Sequence, residues 1–380
     1  MGDVELHAHL IGAAHSRRRL NTPALVIDRE ALDRNIERMA AFARAAGLKL
    51  RPHTKTHKSV DIARRQIGAG AVGLCCAKLG EAEVLADADL TGLHITSPVV
   101  SAPGIARLIA LAARVSELTV AVDNPDNVLD LARAAAVGGA PLRIIIDIDP
   151  GSHRTGVASA GAAVALAGAI RAAPSLHYAG VQFYCGPEQH IEGFAARKAA
   201  VIERAGYLRT VIEELNLADA APSIVTGGGT GTHRIDAALG LFTELQVGSY
   251  IFMDEQYLAC ELGEPGTPAY DTALFIDTRV ISVNTAGMVT VDGGLKAFAC
   301  DAGVPAVVAG APAGSSFTFM GDEHGAITLP HGAQPPKLGD VITLTAPHCD
   351  PTVNLYDTYH VVERDVLQAL WPVSARGRSR

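Results

Sequence analysis

Lys55 lies in the stretch Leu50-Arg51-Pro52-His53-Thr54-Lys55-Thr56-His57-Lys58, where several nitrogen bases follow the apolar lead-in of Leu48 and Leu50. A lysine at the carboxyl end of a buried strand is partly desolvated; the spacing therefore predicts a lowered pKa and a free amine able to form a Schiff base. The same residues would also make a solvated basic turn, and this stretch alone does not decide between the two. Further along, Asp147-Ile148-Asp149-Pro150-Gly151-Ser152-His153-Arg154-Thr155-Gly156 places Arg154 among small residues, where it could reach an anionic oxygen. Phe183-Tyr184-Cys185-Gly186-Pro187-Glu188-Gln189-His190 is a third polar cluster, and either could equally be an ordinary loop.

Thr226-Gly227-Gly228-Gly229-Thr230-Gly231-Thr232 is more specific. Consecutive glycines after a strand expose backbone N–H groups, and the threonine hydroxyls add donors, which suits a phosphate. The run lacks the lysine of a P-loop and the G-x-G-x-x-G spacing of a dinucleotide fold. Gly248-Ser249-Tyr250 would supply the other side of the same cradle. Near the end of the chain, Pro347-His348-Cys349-Asp350-Pro351-Thr352 carries an H-x-D pair, which in an extended segment would put imidazole and carboxylate on one side. Two such ligands leave most of an octahedral shell open and suit Mn²⁺ or Mg²⁺ better than a closed zinc site, the competing reading being a hydrogen-bonded His-Asp pair. His7 and His9 make an H-x-H spacing in residues 1–21, which otherwise read as an irregular or disordered terminus.

Groups of this kind need a scaffold, and the chain supplies a repeated strand–helix grammar. Pro23-Ala24-Leu25-Val26-Ile27 is an apolar strand, Asp28 is placed to cap a helix running through Ala46, and Gly47 stops it. Later strands begin at Leu50, Val72, Leu93, Leu118, Leu142, Tyr178, Ser223 and Thr243, giving about nine short apolar strands before Ser249, mostly separated by alanine-rich helices. Buried strands in series alternating with helices indicate an α/β fold with a closed (β/α)8 TIM-type barrel, an open doubly wound sheet being the alternative. After Leu262 the texture changes: Gly263 to Pro268 reads as a linker, and the strands that follow have no helices between them. The expected organisation is a barrel over residues 22–262 and a β-rich domain over 263–380, which residues 1–21 could join, with 374–380 a loose basic tail.

Composition bounds the function. The chain has 380 residues, 48% of them apolar, and a formal net charge of -8. The scattered basic residues give no footprint for nucleic acid or an anionic membrane surface. No apolar run approaches the roughly 20 residues of a spanning helix. The six cysteines show no paired framework. A cytoplasmic enzyme with reduced thiols is expected, Cys185 and Cys349 alone falling inside the polar clusters.

Taken together, the motifs resemble the D-threonine aldolase family, within the alanine racemase-like (fold-type III) pyridoxal phosphate enzymes. The resemblance rests on Thr22-Pro23, the Arg51 to Lys58 stretch, His153-Arg154-Thr155-Gly156, Gln189-His190, Thr226 to Gly231, Glu244-Leu245-Gln246-Val247-Gly248-Ser249-Tyr250, Asp322-Glu323-His324-Gly325 and His348-Cys349-Asp350-Pro351-Thr352, in that order. It implies pyridoxal 5'-phosphate, a divalent metal, a small D-3-hydroxy amino acid as substrate, and a homodimer. Lys55 then resembles the Schiff-base lysine, and Arg154 the arginine on the cofactor's phenolic oxygen. Thr226, Gly228, Gly229, Thr230, Gly231, Gly248, Ser249 and Tyr250 resemble the phosphate site. Gln246 falls where racemases of this fold place an arginine against the pyridine nitrogen, Tyr184 is expected near the ring, His348 and Asp350 resemble the metal ligands, and His190 the base beside them. The implied reaction is retro-aldol cleavage to glycine and an aldehyde. Sibling chemistries are 3-hydroxy-D-aspartate aldolase, which also has H-C-D, and the D-serine and D-threo-3-hydroxyaspartate dehydratases, which usually show H-x-C with zinc. A non-catalytic pyridoxal phosphate carrier shares the barrel but lacks the β-rich domain.

Overall fold

The computed structural model describes residues 2–267 and 269–380; Met1 and Pro268, the last residue of the expected linker, lie outside the described residues. Eight strands are parallel neighbours in one sheet: β2 (Lys49–Leu50), β3 (Leu74–Cys76), β4 (Leu93–Ile95), β5 (Thr119–Val122), β6 (Leu142–Ile148), β7 (Leu176–Phe183), β8 (Ile224–Gly227) and β9 (Glu244–Leu245). Their order is β2-β9-β8-β7-β6-β5-β4-β3. The two ends of the row meet, since the Val72 and Cys75 N–H groups donate to the Leu50 and Pro52 carbonyls at 2.9 and 2.8 Å and His53 bridges Cys75 in parallel. The strands are mostly buried because both faces are covered, by helices outside and by barrel side chains inside, and the polar residues among them, such as Asp147, Gln182 and Glu244, are buried and hydrogen-bonded. Local signals set the helix ends: Asp28 accepts from the Ala31 N–H at 3.0 Å to start the helix Arg29–Ala45. Asn124 caps Pro125–Gly138, which ends on Gly139 with φ +72°.

A second sheet holds nine strands: β1 (Ala24–Asp28), β10 (Leu274–Thr285), β11 (Met288–Val291), β12 (Val307–Ala309), β13 (Ser316–Phe319), β14 (Gly325–Thr328), β15 (Val341–Thr345), β16 (Thr358–Glu363) and β17 (Val366–Pro372). Here a correction is needed. The strand after Pro23, read from sequence as the first of the barrel, pairs antiparallel with β10 and parallel with β16, which removes the surplus strand from the barrel count. Its all-apolar pattern followed by a helix matches a β/α unit, and periodicity cannot say which sheet a buried strand joins. The N-terminal residues are also ordered, with a helix at Asp3–His7 and with Leu10, Ser16 and Leu20 buried. His7 does not pair with the exposed His9: its Nδ1 meets His360 Nε2 at 2.8 Å while its Nε2 accepts from the Asn21 N–H at 2.9 Å. The C-terminal tail is docked, the Ala375 N–H donating to Lys58 O and the Arg380 carbonyl accepting from the Gly80 N–H at 3.1 Å.

One hydrophobic cluster joins the two sheets, and this positions the site. It contains Leu50, Ile62, Leu245 and Val247 from the barrel, Leu32, Ile36 and Met39 from the first long helix, and Leu274, Ile276, Leu344 and Tyr359 from the second sheet. A shared core of this size fixes the carboxyl ends of β2 and β9 against the strand ends of the second sheet. The Tyr359 hydroxyl adds a direct tie, donating to the His57 carbonyl at 2.7 Å. Among the described residues no helix is long and apolar enough to cross a membrane.

Candidate active site

A cavity of about 710 Å³ opens at the carboxyl ends of the barrel strands, the face where parallel barrels place their chemistry. Its wall includes Lys55, Arg154, Tyr184, Gly229, Thr230, Gln246, Gly248 and Ser249 among the residues expected from sequence. Thr226, Gly228, Gly231, Tyr250, His190, His348 and Asp350 are not on that wall. His53, Thr56, Thr96, Gln182 and Tyr257 are on it and were missed. His53 and Thr56 lay within the singled-out motif, and a glutamine in the apolar second half of β7 was the available signal for Gln182.

Lys55 sits in a single 3-10 turn, Thr54–Thr56, that follows β2, and it faces across to the second sheet. Its Nζ donates to Asp350 Oδ2 at 2.6 Å. The expectation of a lowered amine pKa is therefore corrected: the Asp350 carboxylate, outweighing desolvation, raises it. Burial on its own would raise Asp350, but the Lys55 ammonium, with His348 and Thr56 nearby, holds it below the usual carboxylate range. The H-x-D segment is not extended: His348 caps the short helix Cys349–Val353 and Asp350 lies in its first turn. Asp254 fixes that turn, accepting from the Cys349 N–H at 2.8 Å through Oδ2 and from the Tyr257 N–H at 3.1 Å through Oδ1. Cys349 itself is 0% exposed, so its thiol belongs to the core.

The donor set suits a divalent cation. His348 Nδ1 contacts Asp301 Oδ2 at 2.7 Å, a carboxylate–histidine pair that orients the ring and would leave Nε2 as the atom offered to a cation. His190 packs its ring on Tyr257 with centroids 4.6 Å apart. Burial first, then the charges of His348 and Lys55, lower its pKa, which keeps the imidazole neutral near pH 7.

The cavity also suits a phosphorylated aromatic cofactor. The Arg154 guanidinium lies 5.5 Å from the Tyr184 ring centroid at one side. Beneath, a buried chain sets amide orientations: His94 Nε2 meets Gln182 Oε1 at 2.9 Å, and Gln182 Nε2 donates to Asp147 Oδ1 at 2.9 Å and Thr96 O at 3.1 Å. Gln246 Nε2 donates to Gln182 Oε1 at 3.2 Å and to Thr226 Oγ1 at 3.0 Å. Both Gln246 amide hydrogens are thus engaged, and Oε1 is what it presents to the cavity. Thr226 serves this network. At the glycine loop, Thr230 and Ser249 contribute hydroxyls to the wall. The buried Thr56 hydroxyl lies 2.6 Å from where a Cβ on Gly248 would stand, so only glycine leaves that corner open.

Part of the expected cradle is engaged from behind instead. The Gly229 N–H donates to Thr232 Oγ1 at 3.2 Å and the Gly231 N–H to Gln189 Oε1 at 3.0 Å. Gly228, with φ +71°, lies against Asp236. Tyr250 turns its phenol into the core, where it accepts from Gln66 Nε2 at 3.2 Å, and gives the site only a backbone N–H, which Thr230 Oγ1 accepts at 2.9 Å.

Among the described residues the Asp236 carboxylate accepts one hydrogen bond, from Thr232 Oγ1 at 2.5 Å. Burial pushes its carboxyl up to about 7, against the pull of Thr232. With a folded pKa above the unfolded value of about 3.9, the native state binds the proton more tightly, so stability falls as pH rises from about 4 to about 7 and is flat beyond. Asp236→Asn is expected to remove that slope and to raise the melting temperature above pH 7 by a few degrees, the penalty removed being at most about 4 kcal/mol. Thermal melts of both proteins between pH 5 and 8 check it, and parallel slopes would refute it.

Comparison with known proteins adds the context for this geometry. The alanine racemase N-terminal domain matches residues 27–256, and a serine dehydratase domain matches residues 273–362. The chain is 38% identical to D-threonine aldolase of Arthrobacter sp, over 95% of this chain and 94% of that one. It is also 38% identical to 3-hydroxy-D-aspartate aldolase of Paracoccus denitrificans (strain Pd 1222), over 94% and 93%. The crystal structure of D-threonine aldolase from Filomicrobium marinum superposes with a TM-score of 0.91 at 35% identity, covering 96% of this chain and 97% of that one.

Proposed function

Since this chain belongs to the D-threonine aldolase family and has the alanine racemase-like fold, we propose that it cleaves D-3-hydroxy amino acids to glycine and an aldehyde, using pyridoxal 5'-phosphate and a divalent cation, Mn²⁺ or Mg²⁺. The observation that carries this reading is the 2.6 Å contact between Lys55 on the barrel and Asp350 on the second sheet's side. An amine that can hold an amino acid and a carboxylate that can hold a cation meet at one point, as cleavage between Cα and Cβ requires.

Bound at Lys55, pyridoxal phosphate would supply the electron sink for the pair left at Cα. A cation on His348 and Asp350 would make the substrate's β-hydroxyl more acidic. The protein's own residues do the rest. His190 is neutral and takes the β-hydroxyl proton at a ring nitrogen as the bond breaks. Arg154, braced against the Tyr184 ring, would donate to the cofactor's phenolic oxygen. Gln246 would offer an oxygen to the pyridine nitrogen in place of a cation, and so would support ring protonation only weakly. Thr230 and Ser249 line the phosphate end. Lys55, once its ammonium is free, can return a proton to Cα.

The burial of Cys349 favours the aldolase over a dehydratase, because the H-x-C ligand pattern of those siblings has here an aspartate in the second position and a cysteine packed in the core. Incubation of the purified protein with pyridoxal phosphate, Mn²⁺ and either D-threonine or 3-hydroxy-D-aspartate is expected to yield glycine and aldehyde. Keto acid and ammonia would establish a dehydratase, and no turnover of either would return the chain to a carrier role. Cleavage of only one compound identifies the β-substituent the site accepts. The six free thiols accord with a cytoplasmic enzyme, and the family resemblance implies a homodimer.

A further inference from the structure

Arg197 is a buried cation with no contact ion pair among the described residues, the nearest compensation being the Glu261 charge and the Phe194 ring 5.7 Å from its guanidinium. It lies in the first turn of the helix Phe194–Leu217, where the helix dipole already disfavours positive charge, and it is 0% exposed. Its guanidinium is gripped by four backbone carbonyls. Nε donates to Gly231 O at 2.8 Å, Nη1 to Glu192 O at 3.1 Å and to Ile191 O, and Nη2 to Glu261 O. Among the described residues no carboxylate forms an ion pair with it; the carboxylate of Glu261 instead accepts from the Phe194 N–H at 3.0 Å. Carbonyl dipoles satisfy its hydrogen bonds but do not cancel a full charge, and a buried charge left unneutralised is strongly unfavourable.

The place of that charge is informative. Gly231 is the residue after Thr230, which lines the cavity at its phosphate end. Both polar groups of Gly231 are held from behind, its N–H by Gln189 Oε1 at 3.0 Å and its C=O by Arg197 at 2.8 Å. A Cβ on Gly231 would fall 2.0 Å from the Gln189 carbonyl oxygen, so the loop and the Gln189–His190 segment are in direct backbone apposition. Ile191 and Glu192, which Arg197 also grips, follow His190 directly, and Glu261 follows the short helix that carries Tyr257, the ring on which His190 packs. One guanidinium therefore ties the glycine loop, the backbone behind His190 and the segment behind Tyr257 together.

We infer that Arg197 is the built-in counter-charge for the cofactor's phosphate, acting through the glycine loop it holds, and that it is at the same time the positioning residue that fixes the backbone behind His190. This rests on the reading of the cavity as a pyridoxal phosphate site. A phosphate dianion on the cavity side of the loop would complete the compensation of a charge that the fold leaves without a contact ion pair, and that charge would strengthen phosphate binding without touching it.

The test compares pyridoxal phosphate with pyridoxal, which lacks the phosphate, by titrating each into apoenzyme prepared from the holoenzyme and reading fluorescence quenching. Arg197→Gln is expected to weaken pyridoxal phosphate by at least about tenfold, a unit charge acting through protein at low effective dielectric, while leaving pyridoxal nearly unchanged. Arg197→Lys keeps the charge and loses most of the carbonyl contacts, so it is expected to keep the preference for the phosphorylated form while melting at a lower temperature. Equal weakening of both ligands in Arg197→Gln, or loss of the preference in Arg197→Lys, would overturn the counter-charge. Should Arg197→Gln fail to fold, the holoenzyme decides: the phosphorus resonance of the bound phosphate is expected to remain that of the dianion below about pH 6, where a free monoester takes up its second proton. A resonance titrating like the free ester overturns the proposal. Failure of the wild-type apoenzyme to bind either compound would instead overturn the cofactor reading, and this inference with it.

Discussion

Replacing Lys55 by alanine is expected to abolish the visible absorbance of a lysine-linked cofactor and to lower turnover by at least about 10⁴-fold, with the fold retained. The amine sits on a 3-10 turn outside the hydrophobic clusters, so its removal leaves no cavity in the core. What it leaves is Asp350 without its ion-pair partner. A divalent cation could replace that partner, so the variant is expected to keep metal affinity while losing the cofactor band. Absorbance spectra and metal titrations of the purified variant check both statements. Of the two alternative lysines, Lys58 and Lys78, Lys58 is buried against Glu81 and is already paired. Lys78 lines the cavity, so persistence of the band in the alanine variant would transfer the role to Lys78.

The complementary change is at the second sheet's side. Asp350→Asn and His348→Ala are each expected to lower turnover by about 10³-fold or more and to abolish its dependence on added Mn²⁺, while the cofactor band remains. Asp350→Asn has a second consequence. The Asp350 carboxylate is the largest cause of the raised Lys55 pKa, so without it the amine loses its proton more readily. Cofactor linkage to Lys55 should then extend to lower pH in Asp350→Asn than in the wild type, a shift readable as the pH midpoint of band formation. Loss of cofactor from either variant would show that the His348–Asp350 pair is structural, and the metal assignment would fail.

Much of this was legible before any coordinates. The barrel could be read because strands covered on both faces are predominantly apolar, and because Asp28 marks a helix start by local chemistry. The glycine loop was singled out as a run of exposed N–H donors, whereas the Gly229 and Gly231 N–H groups are engaged from behind and a side chain is excluded at Gly231 because backbone there approaches backbone. Other readings failed on long-range geometry. The strand after Pro23 carries the right pattern for the barrel and sits in the other sheet, because β10 and β16 complete its hydrogen bonds. The N-terminal segment looked irregular in isolation, yet His7 finds His360 from the far end of the chain.

The amino-acid order by itself determined the element types, the parallel apolar strands and the residue kinds gathered at their ends, since each follows from neighbours within a few positions. Only the tertiary structure decided the electrostatics. Whether Lys55 is depressed or elevated depends on a carboxylate 295 positions away in the chain, and whether Arg197 is compensated depends on carbonyls from three separate segments. Such interactions fall with distance in space and take no account of distance along the chain, so no local pattern encodes them.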